Sequence, residues 1–318
     1  MHRTLITGAD GFVGRHLCAE WSQQGYQVRA TTRSHNRLSA TGETVMVGSI
    51  DARTKWANAL CNVDTLIHLA ARVHVIKDKT ADPLTEFLKV NLHGTSNLAQ
   101  QAANSGVRRL IYVSSIKVNG EQTTAVRPFV ETDEPNPQDP YGISKWRAEQ
   151  ELQRISQETG LEVVIVRPPL IYGPGVKGNL ARLLSWVEHG VPLPLTGIRN
   201  TRSLIGIDNF TSVLHACLTH PAAAGRTYLV RDGEDISTPE LLRRLGHHLD
   251  KPARLFTLPP PLLERLAGWV GRRADAQRLT GSLIVDDSRI RRELGWVPPR
   301  TLDEGLALMT RAWLNSAG

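Results

Sequence analysis

Six short segments constrain the fold most: RTLITG, YQVRATT, TVMVGSI, DTLIHLAA, RRLIYVSS and EVVIVRP. Each is a nearly continuous run of β-branched and other apolar residues. A strand with one wet face alternates polar and apolar side chains. A continuous run reads instead as a strand covered on both faces, as in a parallel sheet. Helical patterns lie between the runs, among them GRHLCAEWSQQG and FLKVNLHGTSNLAQQAANSG, each closed by glycine. The βαβαβ order predicts an α/β fold with a Rossmann-type, doubly wound parallel sheet. After about residue 168 the rhythm changes, and Pro and Gly cluster in RPPLIYGPGVKG, LPPP and WVPP. Shorter, less regular helices are expected there, in a smaller C-terminal lobe. The expected division is a Rossmann domain over 1–167, to which 203–235 returns, and a lobe built from 168–202 and 236–318.

Composition narrows the partners. The chain has 318 residues, 41% of them hydrophobic, enough for a full core. Its net charge of +7 comes from 38 basic against 31 acidic residues. That excess suits anionic small ligands. No block of basic residues and no aromatic array accompanies it, so nucleic acid is not an expected partner. The three cysteines, Cys18, Cys61 and Cys217, are far apart and form no metal motif. A reduced, cytoplasmic protein without a resident metal is expected. The chain starts directly on a strand, so no signal peptide is expected. No apolar run reaches the roughly 18 residues of a membrane span. The stretch LPPPLLERLAGWVGRR has an apolar body and a basic end. It reads as a core-packed amphipathic helix, with a membrane surface or a partner as the alternative.

Gly8, Gly11 and Gly14 sit between the first strand and the first helix in TLITGADGFVGRHL. Glycine permits a tight turn and lets a pyrophosphate approach the backbone N–H groups of a helix N-terminus. Three glycines alone are a weak signal, but between strand and helix they point to a dinucleotide. The end of the second strand bears on which one. A site selecting NAD carries Asp or Glu there for the ribose 2′-hydroxyl. This chain reads VRATTRS. Arg33 can pair with a 2′-phosphate, with Thr32 or Ser34 adding hydroxyl donors. NADP(H) is therefore preferred, with NAD(H) as the alternative and a solvated Arg33 as the bland reading.

Ser114 and Ser115 leave the strand RRLIYVSS at its C-terminal edge, where open α/β sheets bind ligands. Their hydroxyls can reach a substrate oxygen, or serve only the turn. In PQDPYGISKWRAEQEL, Tyr141 and Lys145 are one helical turn apart. Asp139 can cap that helix and Pro140 suits its first turn. A free phenol titrates near ~10. A neighbouring ammonium is expected to lower that value and so prepare Tyr141 for proton transfer to an alcohol or carbonyl.

With these residues in place the chain resembles the extended short-chain dehydrogenases/reductases of the sugar-nucleotide epimerase/dehydratase group. TGADGFVG, HLAA, VNLHGT, VSSIKVNG, YGISK and RPPLIYGPG carry the resemblance in order along nearly the whole chain. It implies Ser115, Tyr141 and Lys145 as the catalytic trio. The implied cofactor set comprises Gly8, Gly11, Phe12, Val13 and Gly14; Thr32 and Arg33; Ser49 and Ile50; Leu69, Ala70 and Ala71; Asn91; Tyr141 and Lys145; and Pro168. Val73, His74, Ser114 and Lys117 are placed to touch a sugar, although a lone histidine such as His74 is more often structural. Asn179, Arg202 and Arg278 are placed to grip a diphosphate. The resemblance also implies a homodimer.

Departures from the group's pattern narrow the activity. Dehydratases follow the position of Ser115 with Asp-Glu, and this chain has Ile116 and Lys117. Many relatives carry Asp where it has Ser49, and 4-epimerases carry asparagine where it has Leu170. HLAARVHV, SSIKVNGE and DGEDISTPELLRRL resemble enzymes of bacterial O-antigen and capsule synthesis. Their reductases convert UDP-4-keto-6-deoxy-N-acetylglucosamine to UDP-N-acetylquinovosamine, and that is the expected reaction. The alternatives are a 4-epimerase of a nucleotide- or lipid-diphosphate-linked N-acetylhexosamine, and a non-catalytic NADP sensor.

Overall fold

The computed structural model describes residues 3–33, 43–73, 82–124, 127–259, 262, 265, 277 and 279–317. The six apolar runs form β1 (Arg3–Thr7), β2 (Gln27–Thr32), β3 (Glu43–Met46), β4 (Thr65–His68), β5 (Arg109–Val113) and β6 (Glu162–Arg167). Four later strands follow: β7 (Leu170–Tyr172), β8 (Arg202–Gly206), β9 (Thr227–Leu229) and β10 (Asp235–Ile236). The main sheet has seven strands in the order β3-β2-β1-β4-β5-β6-β9, and every pairing in it is parallel. Strands β7, β8 and β10 make a separate three-stranded sheet.

The apolar runs are continuous because each strand feeds two cores. Ile6, Ile67, Ile111 and Val164 point into one cluster, with Leu17, Cys18 and Trp21 of α1 (Phe12–Gln23). Leu5, Leu66, Leu110 and Val163 point into the other. Adjacent residues of one strand thus lie on opposite faces. Further helices are α2 (Ala57–Leu60), α3 (Pro83–Leu88), α4 (Thr95–Asn104) and α5 (Pro140–Thr159), of which α2, α4 and α5 cover the second face. Next come α6 (Asn179–Glu188) and α7 (Ile207–Thr219), and Phe210, Val213 and Leu214 of α7 complete the first cluster. The series ends with α8 (Thr238–His248), α9 (Ser288–Leu294) and α10 (Leu302–Ala317). A third core, containing Leu184, Leu242, Leu245 and Leu306, joins α6, α8 and α10 to the small sheet, and Phe12 packs against it. The strand order reverses between β1 and β4, which opens a crevice at their carboxyl ends.

Two local expectations are corrected. FLKVNLHGTSNLAQQAANSG is not one regular helix: Lys89–Gly94 form a π-helical turn between α3 and α4. The turn ends at Gly94, where a Cβ would lie 2.7 Å from Ile50 Cγ2, so only glycine fits there. Nor are all helices of the C-terminal half short, because α7 and α10 run for 13 and 16 residues. Their apolar faces are long enough to span a core layer. Most of LPPPLLERLAGWVGRR lies outside the described residues. Among the described residues no helix is long and apolar enough to cross a membrane, and no three His, Cys, Asp or Glu side chains group as a metal site.

Candidate active site

The turn after β1 forms a cradle only glycine can build. Gly8 has φ +67°, and a Cβ on it would lie 2.7 Å from the Ala70 backbone nitrogen. A Cβ on Gly14 would lie 2.2 Å from the Gly8 carbonyl oxygen. The Gly11 N–H closes the turn onto that same carbonyl at 2.9 Å. Gly11 caps α1 without a side-chain partner, and the first turn of α1 has no acid. The result is a bare, electropositive helix end at the crevice. Leu69, Ala70 and Ala71 line the opposite lip, each partly buried. Thr32 is buried at the end of β2, while Arg33 beside it is exposed. The residues fit a dinucleotide, whose pyrophosphate would lie on the bare N–H groups. Ser49 is exposed and Ile50 partly buried after β3, and Ser49 accepts from the Thr54 hydroxyl at 2.8 Å.

Asn91 is buried in the π-helical turn and makes a two-point clamp. Its Oδ1 accepts from the Arg72 N–H at 2.8 Å, and its Nδ2 donates to the Arg72 carbonyl at 3.0 Å. The same Nδ2 donates to Ser144 Oγ at 2.9 Å, which ties the loop after β4 to α5. Here a wide helical turn re-aims one side chain toward a site.

Helix α5 begins as its sequence predicts. Asp139 accepts from the Gly142 N–H at 2.7 Å, and Pro140 occupies the first helical position. Tyr141 is partly buried, and its ring meets Phe87 edge-on at 6.1 Å. Ser115 is the neighbouring hydroxyl that favours ionisation of its phenol. Lys145 is 2% exposed and donates to the Val113 carbonyl at 2.8 Å. Its ammonium sits 4.5 Å from the Tyr112 ring centroid and 5.9 Å from that of Tyr141. The trio therefore converges at the carboxyl end of β5.

The electrostatics differ from the expectation that Lys145 lowers the Tyr141 phenol. Burial, followed by the Asp139 charge, pushes the phenol above its ordinary value, with the Ser115 hydroxyl opposing. Burial pushes Lys145 down to about 7, against the pull of Glu149. The expectation weighed charge alone, whereas desolvation dominates for both groups. Below them His68, fully buried, contacts Thr7 Oγ1 at 2.6 Å and Thr95 Oγ1 at 2.9 Å. Burial and the Lys145 charge push it down to about 3, so it is a neutral post.

The sugar and diphosphate candidates divide. Ser114 is corrected: it is 3% exposed and its hydroxyl donates inward to Glu149, away from the crevice. That bond commits the Ser114 hydroxyl, so Ser115 and not Ser114 is left to face a ligand. The Lys117 ammonium pairs with Asp139 and, at 3.0 Å, with Glu121, beside the start of α5. Val73 is 59% exposed on the loop after β4. Pro168 is buried after β6, and its carbonyl accepts from the Ile116 N–H at 3.0 Å. Asn179 opens α6, exposed, and accepts from Arg182 at 3.1 Å. Arg202 starts β8, partly buried, and donates to the Gly281 carbonyl at 3.0 Å. Ser34, His74 and Arg278 lie outside the described residues. Sequence reasoning missed Glu149, Arg167 and Phe87. For Glu149 a signal existed, since it lies one further turn along the face of Tyr141 and Lys145.

Comparison with known proteins bears on this geometry. The sequence profile of the NAD dependent epimerase/dehydratase family matches residues 4–230. A UDP-glucose 4-epimerase of Vibrio cholerae is 44% identical over 316 residues, covering 98% of this chain and 95% of that one. A GDP-6-deoxy-D-mannose reductase of Pseudomonas aeruginosa is 27% identical over 320 residues, covering 98% and 97%. The UDP-glucuronic acid 4-epimerase of Bacillus cereus, solved in complex with NAD, superposes with a TM-score of 0.79 at 21% identity, covering 98% of this chain and 96% of that one.

Proposed function

The chain belongs to the NAD dependent epimerase/dehydratase family of extended short-chain dehydrogenases/reductases, and on that premise we propose that it is an NADPH-dependent 4-ketoreductase of a UDP-linked 4-keto-6-deoxy amino sugar. The proposed reaction converts UDP-4-keto-6-deoxy-N-acetylglucosamine to UDP-N-acetylquinovosamine for bacterial surface polysaccharide. One observation carries the reading: β2 runs out into Thr31, Thr32 and an exposed Arg33, and no Asp or Glu occurs from Val28 to Gly42. That end favours a 2′-phosphate over a bare 2′-hydroxyl. NADPH that is consumed and exchanged suits a reductase.

The state of Tyr141 supports the same direction. Burial and Asp139 keep the phenol protonated across the neutral range. A reductase needs a proton donor at the start of its cycle. When bound, the nicotinamide supplies hydride to C4 of the sugar. Tyr141 gives its proton to the oxygen developing charge on C4, and the neighbouring Ser115 hydroxyl steadies that oxygen. Lys145 places positive charge behind the ring as the phenolate forms, and solvent returns the proton. In this reading 1–167 with 203–235 hold NADP(H). The lobe grips the diphosphate through Asn179 and Arg202, and the protein works as a cytoplasmic homodimer.

A second reading is favoured by the Vibrio cholerae relative, named as a UDP-glucose 4-epimerase. The same trio would then oxidise and re-reduce one sugar with no net cofactor loss. Absorbance at 340 nm separates the two. With UDP-4-keto-6-deoxy-N-acetylglucosamine, stoichiometric loss of NADPH, faster than of NADH, is expected. No loss with either cofactor, together with gluco–galacto exchange of UDP-N-acetylhexosamines, would replace the reductase with the epimerase.

A further inference from the structure

Three consecutive residues leaving β5 each engage one face of α5. The Val113 carbonyl accepts from Lys145 at 2.8 Å. Ser114 donates to Glu149. Ser115 acts on the Tyr141 phenol as its neighbouring hydroxyl. Tyr141, Lys145 and Glu149 follow one another at single-turn spacing, so the face is continuous. Glu149 has no exposed surface. Its carboxylate also accepts from Arg167, at 3.0 Å from Nε and 2.5 Å from the terminal nitrogen. Arg167 is 4% exposed and donates to Asn119 at 2.9 Å, which donates to the Val130 carbonyl at 2.9 Å. Arg167 ends β6, directly before Pro168, whose carbonyl holds the loop after Ser115. One buried carboxylate therefore joins the helix carrying the acid, the loop carrying Ser115 and the strand end beside them.

We propose that Glu149 is a positioning residue for the Ser115–Tyr141–Lys145 set: it fixes Ser115 against the phenol through Ser114, and sets a carboxylate paired with Arg167 one helical turn from the Lys145 ammonium. The proposal deepens the reading above and rests on Tyr141 and Lys145 transferring the proton. A neutral side chain could hold Ser114 equally well. The carboxylate is needed because Arg167 is a buried cation and Lys145 a second one. The groups facing Lys145 are Glu149 and Tyr141 on α5, Tyr112 on β5 and His68 on β4. Arg167 on β6 faces Glu149, and Asp139, held by Lys117, lies beside Tyr141. Among these, Glu149 is the anion acting on Lys145, and it opposes the burial that brings Lys145 down to about 7.

The test is a titration of the cofactor-free protein by 13C NMR with labelled lysine, Lys145→Arg assigning the signal. Glu149→Gln is expected to lower the Lys145 midpoint by about one pH unit or more. An unmoved midpoint in the folded variant overturns the charge role. No substrate is needed, so this result stands apart from the proposed reaction. The second arm is Ser114→Ala, which keeps both buried charges and remains decisive if Glu149→Gln does not fold. Its kcat, in any turnover assay that Tyr141→Phe abolishes, is expected to fall about tenfold or more at nearly constant KM for the cofactor. Ser114→Thr, which restores the hydroxyl, is expected to recover it. A wild-type kcat in Ser114→Ala, or a loss that Ser114→Thr does not repair, overturns the anchoring role.

Discussion

Tyr141→Phe is expected to lower kcat by about 10²–10⁴-fold and to leave NADP(H) affinity nearly unchanged. The substitution removes one oxygen and little else. The ring keeps its edge-on contact with Phe87 at 6.1 Å, and the helix start stays fixed by Asp139 and Pro140. The neighbouring Ser115 hydroxyl is partly exposed, so water can satisfy it. Stability should therefore change little while turnover collapses. Lys145 is not placed to substitute as the donor, because its ammonium lies behind the ring, 5.9 Å from the Tyr141 centroid and bonded to the Val113 carbonyl. Steady-state kinetics and a cofactor titration on the same preparation check this. Retained turnover in a folded Tyr141→Phe protein would place the acid elsewhere, whereas a Tyr141→Phe protein that keeps its cellular role without turnover would favour a sensor.

Arg33→Ala is expected to lower kcat/KM for NADPH by about tenfold or more while leaving the value for NADH in place. Arg33→Asp should go further. It repels the 2′-phosphate and offers the ribose 2′-hydroxyl the acceptor that NAD-selecting sites carry. The preference is then expected to reverse toward NADH. Because Arg33 is exposed, its attraction for the phosphate is screened by salt, so the NADPH advantage should shrink as ionic strength rises. Paired kinetics with the two cofactors at low and high salt test both statements. Equal loss with both cofactors would mean that Arg33 supports the loop and does not select the phosphate.

Much of the fold is legible because the physics is local to each strand. Leu5 and Ile6, Leu66 and Ile67, or Leu110 and Ile111 must enter opposite cores, and only a doubly covered sheet accepts that pattern. The glycine turn is legible for a similar reason, since the crowding at Gly8 and Gly14 admits no side chain. Strands β7 to β10 are not, being two to five residues long and defined by distant partners. Nor is the π-helical turn at Lys89–Gly94, whose glycine packs against Ile50, far away in sequence.

The site shows the same division. Spacing alone placed Tyr141 over Lys145 and Asp139 at the cap. It could not show that burial dominates at both groups, because burial is a property of everything packed around α5. KWRAEQEL reads as a solvated helix surface, and only the folded chain brings Arg167 and Ser114 onto Glu149. Ser114 and Ser115 look equivalent in sequence, yet one turns into that network and the other toward the phenol.

Hydride transfer from exchangeable NADPH to C4 of a UDP-linked keto sugar is tested most directly by isotope. The protein is given UDP-4-keto-6-deoxy-N-acetylglucosamine and NADPH deuterated at the transferable C4 position of its nicotinamide, and the product is read by proton NMR. One deuterium at C4 of the sugar, with an equal amount of NADP formed, is the predicted result. A product or recovered sugar without deuterium at C4, and no NADP formed, would contradict the account.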